Sequence, residues 1–130
     1  MSEPTPDAPA AARSLVVKLT CGSEAPERAN QALTVAATAV ALGTGVSLWL
    51  TGEASWFAVR DRRVDLGLEH AAPAADLVRA VLDGGRVTVC TQCAARRALT
   101  VTDLLEPARI AGAASFVEEV LAPGVQALVY

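Results

Sequence analysis

Residues 29–52 read ANQALTVAATAVALGTGVSLWLTG, and the way this stretch is understood decides the fold. No Asp, Glu, Lys or Arg interrupts it, and by length alone it reaches what a bilayer-spanning helix needs. Its composition argues otherwise. The first half is mostly alanine and threonine rather than leucine, Gly43-Thr44-Gly45 breaks it, and the second half turns to β-branched and aromatic residues. The reading is a buried helix ending at about Leu42, a glycine stop, and a nearly all-apolar strand at residues 46–51 (VSLWLT). A strand without a polar face needs cover on both sides, the condition of a strand inside a parallel sheet.

Upstream, residues 14–20 (SLVVKLT) form another short apolar strand, and Cys21-Gly22-Ser23 turns the chain. Ser23 is the expected cap of the helix, Pro26 suits its first turn, and Glu24 and Glu27 complement its positive end. Downstream, residues 55–60 read as a short helix and 61–65 as a charged turn. A helix from Pro73 to about Asp83 carries Leu77, Val78, Val81 and Leu82 on one side and stops at Gly84-Gly85. Residues 86–90 (RVTVC) are the third strand, and residues 94–99 look helical. A short turn at Leu104-Leu105, a brief strand at 109–111, a helix at 115–121 and a last strand at 125–130 complete the chain.

Strands alternating with helices predict an α/β domain of three layers, α/β/α, with a mostly parallel sheet of about five strands and right-handed crossovers. The expected organisation is one domain over residues 14–130 behind a flexible tail, residues 1–13, marked by Glu3, Pro4, Pro6, Asp7 and Pro9. That tail has neither the basic start nor the apolar stretch of a secretory signal.

With 52% hydrophobic and 19% charged residues, the chain lies far from the composition of disordered sequences. A net charge of -3, and no lysine after Lys18, leave no dense positive stripe for phosphates, so nucleic acid is excluded as a partner. An odd count of 3 cysteines fits a reducing compartment, and a cytoplasmic location is expected. No Walker A loop, HExxH helix or G-x-S-x-G elbow occurs. Gly43-Thr44-Gly45 follows a helix and precedes a strand, with Leu48 where a dinucleotide loop needs its third glycine. No cofactor and no membrane partner are expected.

The chemistry-bearing residues converge on Cys90-Thr91-Gln92-Cys93, at the junction of a strand and a helix. Peptide N–H groups at such a junction favour a thiolate. Arg96 and Arg97 follow Cys93 by three and four residues, a spacing that brings a guanidinium over the same helix face and within reach of an anionic sulfur. Cys93 is near enough in sequence to attack a modified Cys90. Set against this, free cysteine is one of the most buried residue types and both sulfurs serve equally as small core hydrophobes. Cys21 ends the first strand and would face Cys90 if the first and third strands were neighbours; otherwise it is core filler. Cys21, Cys90, Cys93 and His70 together are the ligand types of a tetrahedral zinc site, although the paired spacing of a zinc ribbon is missing. Trp49 and Trp56 both read as packing residues, and Trp56, just past a strand end, has walling a pocket as its alternative.

The stretch Gly85-Arg86-Val87-Thr88-Val89-Cys90-Thr91-Gln92-Cys93-Ala94-Ala95-Arg96-Arg97 resembles the signature of the DsrE/DsrF-like family, which includes sulfur-relay subunits and YchN-like proteins. The turn at Pro26-Glu27-Arg28-Ala29, the strand from Val46 and the closing strand after Gly124 fall in the same order. The resemblance implies assembly into dimers, trimers or hexamers and a strand-end cysteine, matching Cys90, that accepts sulfur as a persulfide. Cys93 matches a second cysteine found in some members, and Arg96-Arg97 a basic position usually followed by glycine, where this chain has Ala98. The expected function is a persulfide carrier in a sulfur relay, sulfurtransferase-like if enzymatic at all, with donor and acceptor proteins as partners. The alternative is a small oligomeric redox or zinc-binding module that uses the same cysteine pair without moving sulfur.

Overall fold

The computed structural model describes residues 13–130; the tail expected at 1–13 therefore lies, but for Arg13, outside the described residues. Eleven elements alternate in the expected order. The strands are β1 (Ser14–Leu19), β2 (Gly45–Leu50), β3 (Arg86–Cys90), β4 (Arg109–Ala111) and β5 (Val125–Val129). The helices are α1 (Pro26–Ala41), α2 (Ala74–Gly84), α3 (Thr91–Arg96) and α4 (Ala113–Leu121), with 3-10 turns at Gly52–Ala58 and Val101–Asp103. The strands form one sheet in the order β4-β3-β2-β1-β5, and every neighbouring pair is parallel. Among the described residues no helix is long and apolar enough to cross a membrane.

The stretch at 29–52 becomes α1 and the central strand β2, separated at Gly43, whose φ of +84° is a conformation that glycine adopts without strain. Helix α1 begins at Pro26 as expected, but its cap is Ala25 and no side chain satisfies the first turn; Ser23 is exposed instead. Glu24 turns back to accept the Gly22 N–H.

Successive residues of a strand face opposite sides of the sheet. Val17, Leu19, Val46, Leu48, Leu50, Val87 and Val89 point into one core with Ala29, Ala32, Leu33 and Ala36 of α1 and Val78, Val81 and Leu82 of α2. Each fully buried Leu or Val here contributes roughly 1.5–3 kcal/mol relative to exposure. The alanines matter for a different reason: they let α1 lie close on the sheet.

The opposite face is chemically distinct. It presents Lys18, Trp49, Thr88 and Arg109 in one row, fixed by the pairings Lys18 to Trp49, Trp49 to Thr88 and Thr88 to Arg109. Helix α4 lies over this face, with Phe116 edge-on to Trp49 at 5.4 Å between ring centres. Trp49 is buried, as its reading as core requires. Yet no residue of α4 is fully buried, and most of β5 is exposed. The cover on this side is thus much thinner than on the α1 and α2 side.

Candidate functional site

Cys90 is the last residue of β3, and α3 starts at the next residue, earlier than the 94–99 span read from the sequence. Cys93 therefore falls inside α3, one turn from the strand end. Because Val87 and Val89 face the main core, Thr88 and Cys90 face the thinly covered side. Cys90 is half-buried, whereas Cys93 and Cys21 are buried, and all three are free thiols.

Burial acts to raise the pKa of Cys90, but it is outweighed. The backbone N–H groups of Cys93 and Gln92, the Cys93 thiol and the charge of Lys18 together bring the thiol below its ordinary value. The Cys93 sulfur accepts the Gly52 N–H at 3.1 Å, which ties α3 to the end of β2. Gly52 itself has φ of +54°. At the neighbouring turn, a Cβ on Gly22 would stand 2.8 Å from the Glu53 carbonyl oxygen, so the loops after β1 and β2 pack backbone to backbone. Three strand ends thus converge where a parallel sheet gathers its chemistry.

The arginines are engaged elsewhere. Arg97 donates from Nε and Nη2 to Glu53 Oε2 at 3.2 and 3.1 Å, and from Nη1 to the Cys93 carbonyl at 3.2 Å. Glu53 also accepts the Trp56 indole N–H at 2.8 Å, and the hydrogen bonds from Trp56 and Arg97 hold its carboxyl below the usual carboxylate range. Arg96 is exposed and donates to Gln92 Oε1 at 3.4 Å. Neither guanidinium makes a hydrogen bond to the Cys90 sulfur, contrary to the role that helical spacing assigned to them. The reason is tertiary: Glu53, far off in sequence, offers Arg97 a carboxylate oxygen.

Cys21 does not join this site. Strand β2 lies between β1 and β3, and the Cys21 side chain belongs to the core under α1, where its thiol points at the Ala25 carbonyl, 3.9 Å away. Burial raises its pKa, partly offset by Arg28 and reinforced by Glu24. His70 is exposed on the loop before α2, at φ of +61°. Among the described residues no three of His, Cys, Asp and Glu come together to hold a metal, so the zinc set Cys21, Cys90, Cys93 and His70 is not assembled.

Trp56, read first as a packing residue, is only half-buried and takes the alternative role, walling a cavity of about 180 Å³ with Ser23, Glu53, Arg62, Arg63, Val64 and Asp65. The Arg62 guanidinium stacks on its ring at 3.8 Å. A second cavity lies at the amino ends of β1 to β3, lined in part by Ser47, Arg86 and Glu119, at the end of the sheet opposite Cys90.

Sequence reasoning did not single out Lys18 as part of the site. The signal was present in a weak form: it is the one charged residue within the apolar run at 14–20.

Two solved structures share this architecture. The ychN protein from E. coli matches with a TM-score of 0.75 at 13% identity, covering 91% of this chain and 99% of its own. The protein of unknown function MTH1491 from Methanobacterium thermoautotrophicum matches with a TM-score of 0.63, also at 13% identity and with the same coverage. At that identity the likeness is one of fold. No curated protein matches the chain. The sequence itself fits the DsrE/DsrF-like family over residues 14–126, which takes in all of β1 to α4 and the site at Cys90. On that match this chain belongs to the DsrE/DsrF-like family.

Proposed function

We propose that this chain is a persulfide carrier of the sulfur-relay type, with Cys90 as the carrying residue. The observation behind the reading is a half-exposed thiol at the end of β3 that is held below its ordinary pKa. Family membership supports the same class of function.

In the forward step the Cys90 thiolate attacks the outer sulfur of a donor persulfide. A new S–S bond forms at Cys90, the donor's S–S bond breaks, and the donor leaves as a thiolate. In the return step an acceptor thiolate attacks the outer sulfur on Cys90, takes it, and releases the Cys90 thiolate. No electrons are gained or lost overall, and no cofactor is called on. The persulfide is a more acidic group than the thiol, so donors that favour the Cys90 thiolate favour the loaded form as well. Cys93 assists release in this scheme through its thiol beside the loaded sulfur. Donor and acceptor are proteins, and the carrier works as a homo-oligomer.

The test is intact-mass measurement after incubation with a sulfane sulfur donor. A gain of one sulfur atom, lost in Cys90→Ser and retained in Cys21→Ser, is the expected result. Absence of any gain that depends on Cys90 overturns the reading.

A further inference from the structure

We infer that Lys18 is the positioning residue that holds negative charge on the Cys90 sulfur, acting across the thinly covered face of the sheet. The inference rests on the reading of Cys90 as the reactive group and deepens it by naming the cation.

The geometry begins with strand parity. Val17 and Leu19 enter the main core, so Lys18 projects to the other face, the face of Thr88 and Cys90. Register aligns Lys18 with Trp49 and Trp49 with Thr88, which puts Lys18 in the row just before Cys90 along the strand direction. Its ammonium lies over the Phe116 ring at 4.9 Å, beneath α4. Lys18 is half-buried here, with Phe116 over its ammonium and Trp49 beside it in the sheet.

Two arginines of the site are bound to carboxylates. Arg97 is bound to Glu53 at 3.1 Å, and Arg109 to Glu119 at 2.6 Å. Arg86, at the far end of β3, is 4.0 Å from the same Glu119. Lys18 makes no ion pair among the described residues. Other titratable groups on the elements around Cys90 are Cys93 and Arg96 of α3, Glu118 of α4, which is exposed, and Tyr130 beyond β5. Strand β5 carries no ionisable side chain. Two positive charges around Cys90 are thus without a carboxylate partner among the described residues: Arg96, exposed on α3 and bonded only to the neutral Gln92 side chain, and Lys18, which projects from the same face of the sheet as Cys90. The electrostatic influence of Lys18 on the Cys90 thiol is consistent with this placement.

The experiment is the pH profile of alkylation at Cys90 in the full chain, read by site-resolved mass spectrometry. Lys18→Met should raise the midpoint by roughly half a pH unit or more, and Lys18→Arg should restore most of it. Iodoacetate, an anion, should lose more rate than neutral iodoacetamide in Lys18→Met, a difference that a purely structural role does not produce. Raising the ionic strength should slow iodoacetate more with the native chain than with Lys18→Met, and its effect on the native chain keeps the test valid if one variant folds poorly. An unchanged midpoint in Lys18→Met, with no salt effect on the native chain, overturns the inference. A native chain whose Cys90 titrates as an ordinary thiol overturns the reading of Cys90 itself, so the two failures are distinct.

Discussion

At the scale of single residues, Cys90 and Cys21 have opposite electrostatic settings. The Cys90 thiol is lowered, because backbone N–H groups, Cys93 and Lys18 outweigh its burial. The Cys21 thiol is raised by burial. Stability linked to Cys90 is fully present above the ordinary thiol pKa and is lost as pH falls through the depressed folded value. Stability linked to Cys21 is fully present below the ordinary value and is lost as pH rises through the elevated one. Urea midpoints measured across neutral to alkaline pH should therefore change slope in opposite directions in Cys90→Ser and Cys21→Ser. The same slope change in both variants would contradict the assignment. A second residue-scale case is Ala98, which stands at φ of +54°, in the left-handed region. The loop keeps its left-handed turn despite the Cβ. Ala98→Gly should stabilise the protein by about 1 kcal/mol in urea unfolding, since a side chain is disfavoured there by roughly that amount.

At the scale of elements, one carboxylate makes the polar anchor of α4. Glu119 accepts from the Ser47 hydroxyl, from the Trp49 indole at 3.3 Å, and from Arg109 at 2.6 Å. Arg109 in turn donates to Thr88 at 2.9 Å, so a single network joins α4 to β2, β3 and β4. The helix has no fully buried residue, and its other anchor is Phe116, edge-on to Trp49. Glu119→Ala leaves three donors without their acceptor and should cost about 2 kcal/mol. Amide exchange should quicken in α4 and leave α1 protected; equal loss in both helices would show that α4 is not separately anchored. By contrast α1 and α2 are held by apolar burial that no single polar substitution removes.

At the scale of the whole molecule, the two faces of the sheet are unequally covered. Val117 and Leu121 on α4 and Leu128 and Val129 on β5 are exposed, and β5 is an edge strand with unpaired backbone groups. Exposed edges and apolar patches are commonly closed by pairing with another chain. The expected outcome is a homo-oligomer by light scattering, with Leu121→Glu combined with Val129→Lys shifting it to monomer. A native chain that scatters as monomer at all concentrations removes this proposal.

The local sequence by itself determined the alternation of strands and helices and the position of Cys90 at a strand end. These depend on apolar runs, glycine stops and a helix-starting proline, signals carried within a few residues of each element. Even the brief strand at 109–111 is legible in this way. The order β4-β3-β2-β1-β5 was not legible, and it decides that Cys21 and Cys90 are separated by β2 rather than facing one another. Nor was the fate of the arginines, since helical spacing brings Arg97 near Cys93 but cannot register Glu53 as a competing partner. Only the tertiary structure assigns each charge its counterion and each strand its neighbours, because ion pairs and strand pairings join residues that chain distance keeps far apart.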